Sequence, residues 1–143
     1  MRWLNTIGRW LLAVVVTTIV SSGVHSWTIQ NGLAALGVEI PAGLALRTAA
    51  ADLAGLAPAL AAVLAIALAI GFIIAALLGP RLKVPAIVAY PLAGGAATGV
   101  MLAIMRWQMK ITPIASAREP GSFILLCAAG ALGGLVFAAT RRR

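Results

Sequence analysis

Long stretches without a single charge alternate along this chain with short ones that hold nearly all of its charges. The longest uncharged stretch, Leu53 to Leu78, has 26 residues. A helix rising ~1.5 Å per residue needs about 20 residues to cross a ~30 Å hydrocarbon core, so this stretch reads as a transmembrane helix. Three others read the same way: Trp10 to Ile29, interrupted only by His25, then Val84 to Met105, and Phe123 to Thr140. The pattern predicts an all-α, four-helix transmembrane bundle in one integral membrane domain over 1–143, with spans near 10–29, 53–78, 84–105 and 123–140. Gln30 to Asp52 is too apolar for a free loop, yet it is broken by Gly32, Gly37, Pro41 and Gly43. An interfacial or folded-back segment is expected there, between the first two spans, with Pro41 suited to a first helical turn. Irregular backbone at membrane depth must be covered by protein.

Composition sharpens this picture. Hydrophobic residues make up 62% and charged ones only 10%, against ~25% charged in ordinary soluble domains. The first segment has a competing reading as a secretory signal peptide. It offers a basic start at Arg2 and Arg9, an apolar core, and Val24-His25-Ser26 as an approximate cleavage site.

The net charge of +8 would suggest nucleic acid in a soluble protein. Here the cations flank apolar runs, with no basic patch carrying interleaved aromatics, so the expected partner is membrane lipid and not nucleic acid. Four spans put both termini on one side. That side holds Arg2, Arg9, Arg81, Lys83 and Arg141 to Arg143 and no acid, whereas Glu39, Asp52 and Glu119 share the other with Arg47, Arg106, Lys110 and Arg118. The positive-inside rule then predicts a multi-pass protein of a bacterial inner membrane with both termini cytoplasmic.

Small residues recur at helical spacing. Ala67, Gly71, Ala75 and Gly79 form one row, Gly95 and Gly99 continue to Ala103, and Gly130 and Gly134 continue to Ala138. In lipid, such rows let helix backbones approach closely, and they are expected to be helix-packing surfaces. Pro91, beside Gly94 and Gly95, is a candidate kink. Met101, Met105 and Met109 form a row that reads as adaptable packing.

Candidate chemistry is sparse. A possible polar site on the non-cytoplasmic side gathers His25, Glu39, Arg47, Asp52, Arg106, Arg118 and Glu119, with Asp52–Arg118 or Glu39–Arg118 as the expected contact. The simpler reading of the same residues is interfacial ion pairing that holds the loops against the spans. No catalytic, cofactor-binding or metal-ligating residue is assigned. His25 is the lone histidine, which leaves no bis-His haem site in one chain, and the ligands for zinc are missing. Cys127 is the lone cysteine and reads as a small packing residue. Ser21, Ser22 or Ser26 beside His25 is sequence adjacency, not the geometry of a triad. Thr17, Thr18 and Thr98 are too few to line a pore within one chain, which leaves an oligomeric pore open.

Two groups of residues carry a resemblance. His25-x-x-x-x-Gln30, Leu36-Gly37-Val38-Glu39-Ile40-Pro41 and Asp52-Leu53-x-Gly55-Leu56 make up the first. Thr112-Pro113-Ile114-Ala115-x-Ala117-Arg118 and Gly130-Ala131-Leu132-Gly133-Gly134-x-x-Phe137-Ala138 make up the second. Together the chain resembles a group of small uncharacterised four-span bacterial inner-membrane proteins. The resemblance implies one shared architecture for the segments around Asp52 and Arg118, and it implies no activity.

The expected function is that of a non-catalytic accessory or assembly subunit, packing as a homo-oligomer or within a larger membrane complex. The alternative is a carrier, channel or lipid-binding protein that uses a polar site on the non-cytoplasmic side.

Overall fold

The computed structural model describes residues 1–39, 41–109 and 120–141, with the side chains of Asp52, Leu53, Leu56 and Met109 also outside the description. Within these residues the chain is helical, without a strand: α1 (Arg2–Ala35), α2 (Ala42–Arg81), α3 (Ala86–Met109) and α4 (Pro120–Arg141). Each contains a stretch long and apolar enough to cross a membrane. Side-by-side packing joins α1 to α2, α2 to α3, α3 to α4 and α4 back to α1, while α2 and α4 barely meet. The bundle is therefore a four-membered ring. One end carries both termini and the α2–α3 turn; the other, the loop end, carries the α1–α2 connection and the ends of α3 and α4.

The segment between the first two spans takes the form of helical extensions. At 40 residues α2 is the longest helix, about 60 Å at 1.5 Å per residue and twice the hydrocarbon thickness. Its membrane-length part is Ala57–Arg81, so the turns before it project past the loop end. There the Gln30 amide donates to the Ala45 carbonyl at 3.1 Å, tying the extension to α1. Pro58 thus lies inside a continuous helix. α1 ends on Gly37 at φ +82°, with Val38 N–H bonded to Leu33 O and Gly37 N–H to Ala34 O. These two bonds satisfy carbonyls that a helix end leaves open, and glycine takes the left-handed position without a Cβ penalty. The α2–α3 turn uses the same device at Lys83, φ +54°, with Val84 N–H on Gly79 O.

Two apolar clusters fill the ring. Near the termini, Ala13, Val14, Leu68, Phe72, Ala75, Tyr90, Phe137 and Ala138 are buried together. Phe72 and Phe137 stack at 4.6 Å between centroids, and Tyr90 meets Phe72 edge-on at 5.5 Å. Nearer the loop end, Leu64, Met101, Leu102 and Leu126 form the second cluster, with Met105 packed against it. Two members of the methionine row thus pack as expected. Met109 lies outside the description.

The small residues are spent largely inside the ring. A Cβ on Gly134 would overlap the Tyr90 carbonyl of α3, and one on Gly94 would overlap the Gly130 carbonyl of α4. Gly133 turns the other way and receives Thr17 and Ala13 of α1. Gly95 and Gly99 face Cys127, the latter with room for only a 3.2 Å contact to its sulfur. On α2, Gly71 meets Ala97 and Ala93 of α3, whereas Gly79 has only ordinary contacts, the nearest at 3.8 Å. Ala75 is buried and Ala67 packs against the second cluster.

Candidate functional site

Beside the second apolar cluster, against which Val24 packs, one face of α1 turns the interior polar. On α1 the pairs Thr17-Thr18, Ser21-Ser22 and His25-Ser26 recur every four residues, and all six are buried. A four-residue repeat keeps the pairs on one helix face, and that face is the one turned into the ring. Across from it α4 supplies small residues, with Gly133 against Thr17 and Ala129 wholly buried. Thr98 of α3, 1% exposed, adds a further hydroxyl against Gly130.

These hydroxyls differ in how they are satisfied. Thr17 donates to Ala13 O at 2.8 Å and Thr98 to Gly94 O at 2.9 Å, the usual retreat of a hydroxyl in a membrane helix. Thr28 shares a 2.9 Å bond with Ser122 of α4. Ser122 lies in the first turn of α4, which begins at Pro120, and joins two helices. His25 and Ser26 each engage a further group. The Thr18, Ser21 and Ser22 hydroxyls find no partner among the described residues, although they are 5%, 2% and 3% exposed. A buried hydroxyl left unpaired costs about 1–3 kcal/mol. Three such hydroxyls on one buried helix face are a concentration of unmet hydrogen-bonding capacity.

From Thr17 to Thr28 the polar face runs about 16 Å along the helix. It starts near mid-membrane and ends at the loop end. Toward the termini the Phe72–Tyr90–Phe137 cluster closes the interior. Among the described residues no charged side chain enters this column. His25, 8% exposed, is its titratable member.

The residues expected to form a site at the loop end are only partly brought together. His25 is inside the ring and not at its mouth. Glu39, Arg47 and Arg106 are exposed. Asp52 lies in α2, with its side chain outside the description, and Arg118 and Glu119 lie outside the described residues, as do both expected carboxylate–Arg118 contacts. Trp27 is 58% exposed, as suits an indole at the headgroup level. Sequence reasoning overlooked the serine pairs as a unit. The signal was available in the repeat of adjacent polar residues at 17–18, 21–22 and 25–26.

A second feature lies at the opposite end. Between the first turns of α1 and the last half of α2, a groove of about 530 Å³ is floored by the aromatic cluster. Arg9 and Arg141 line it together with Trp3 and Trp10. Arg141 donates to the Tyr90 hydroxyl, and its guanidinium sits 5.6 Å from the Tyr90 ring centroid. Among the described residues no group of three or more His, Cys, Asp or Glu is placed to hold a metal ion.

No family model, curated protein or solved structure matches the chain.

Proposed function

We propose that this is a non-catalytic carrier or channel-type membrane protein whose hydroxyl-lined interior admits a small uncharged polar solute, water being the smallest, from the loop end. The observation that carries this reading is the buried, unpartnered hydroxyls of Thr18, Ser21 and Ser22, on a buried polar face that His25 and Ser26, each engaged with a further group, extend. Hydroxyls both donate and accept, so they can exchange bonds with a hydroxylated guest or with water. An ion would want a compensating fixed charge at that depth, and among the described residues the column holds no Asp, Glu, Lys or Arg. By the distribution of Lys and Arg, the termini belong in the cytoplasm of a bacterial cell and the column opens on the far side.

The test uses single cysteines on a Cys127→Ala background in proteoliposomes. Ser22 and Leu64 are both buried, one in the column and one in the apolar cluster, and each is replaced by cysteine in turn. A small hydrophilic thiol reagent added from the loop side should modify the first an order of magnitude faster, since thiol reactivity follows access to water. Equal and slow modification would sink the reading.

One observation favours the accessory-subunit reading as well. On the lipid side, α2 and α3 leave a groove of about 520 Å³ in which Ala67, Gly71, Ala93 and Ala97 lie between exposed isoleucines. Small residues between larger ones suit a docked helix in lipid. A native mass spectrum from lipid nanodiscs decides: a dimer or a larger complex that Ala96→Trp dissolves supports it, and a lone chain does not.

A further inference from the structure

We propose that the groove at the termini end is a binding site for one anionic phospholipid of the leaflet on that side, separate from the polar column. Its lining divides into two parts. Ile7, Ala69, Ile73 and Ala76 give an apolar wall, with Ile7 and Ile73 48% and 60% exposed, so the wall is open to the acyl-chain region. Arg9 and Arg141 give it two cations. Among the described residues no carboxylate lines the groove to neutralise these arginines. Tyr90 holds Arg141 through its hydroxyl and ring, which orients the guanidinium and leaves other N–H groups for a phosphate. Trp10 lines the groove, and its indole N–H is buried with no partner. An indole N–H can only donate, and the acceptors that a lipid carries are its phosphate and ester oxygens.

The charge complementarity is local and so distinguishable from the general attraction of a basic membrane face. Arg81 and Lys83 lie at the same end but on the α2–α3 turn, outside the groove. General attraction is worth a similar amount for each Lys or Arg near the surface. A built site weights only the two in the groove.

The experiment is native mass spectrometry of the full chain released from nanodiscs of mixed phosphatidylglycerol and phosphatidylcholine. Wild type should retain one phosphatidylglycerol in preference to phosphatidylcholine. Arg9→Gln/Arg141→Gln should lose that adduct, and Arg81→Gln/Lys83→Gln, which removes the same charge from the same end, should keep it. Where the first pair fails to fold, Arg9→Gln alone decides in the same way. Equal loss in both pairs, no headgroup preference, or displacement of the lipid by excess inorganic phosphate would each overturn the proposal, the last by reassigning the site to a free anion.

Discussion

Helices α4 and α2 are both apolar spans, yet they hold the bundle by opposite means. α4 presents backbone. Gly130 and Gly134 admit α3, and Gly133 admits α1, so close that a Cβ at any of them would meet a neighbouring carbonyl or hydroxyl. α2 presents side chains. Leu64, Leu68 and Phe72 reach inward, and only Gly71 brings its backbone close to a partner. In lipid the apolar tails solvate a leucine as well as a protein does, so close contact and polar bonds must supply what the hydrophobic effect supplies in water. The helix built of glycines is therefore the one that the bundle is organised on. The helix built of leucines is the one with an outward groove.

The largest expected effect attacks the glycine helix. Gly134→Leu places four carbons where Tyr90 O and Pro91 Cα already sit, and overpacking of this severity costs about 3 kcal/mol. Loss of the folded bundle in a detergent-unfolding titration is the expected outcome. Gly133→Ala should be nearly as harmful, because the new methyl would overlap Thr17 and come within 3.0 Å of Ala13 O. A titration in which it matched wild type would remove α1 from the comparison.

Gly71→Ala is the matching change on α2. Its methyl meets Ala97 Cβ at 2.9 Å and Ala93 O at 3.0 Å, so a cost of about 1 kcal/mol is expected. If it exceeded Gly133→Ala, the two helices would have exchanged roles. Ser21→Ala removes an unpartnered buried hydroxyl and should leave stability unchanged or raise it by up to about 1 kcal/mol. A clear loss would show that the hydroxyl is bonded in the membrane.

Effects of about the same small size, in the stabilising direction, belong to the α2–α3 turn. Lys83→Gly relieves a left-handed residue, for a gain of about 1 kcal/mol. Gly79→Ala has space, with its nearest contact at 3.8 Å, and helix propensity favours it by somewhat less than 1 kcal/mol. Thermal scans in one detergent would rank the two.

Much of this was legible in the residues themselves. Uninterrupted apolar stretches are long enough to determine the spans, because no other arrangement hides so many apolar groups and satisfies its own backbone bonds. Gly37 as a helix end and the small-residue rows also follow from local chemistry. What the residues alone could not show is which side of each helix faces inward. Lipid-facing and buried positions are both apolar in a membrane protein, so hydrophobic periodicity carries little directional information. Gly71 and Gly79 share one row in the sequence, yet only the first lies tight against the backbone of the facing helix. Gly133 and Gly134 are adjacent, yet they serve different helices. The serines of α1 became a column only because the ring turns that face inward, and Arg9 and Arg141, far apart in the chain, meet at one groove because α4 returns to α1. Neighbourhoods of this kind are set by which helices pack side by side, and that was decided by the tertiary structure alone.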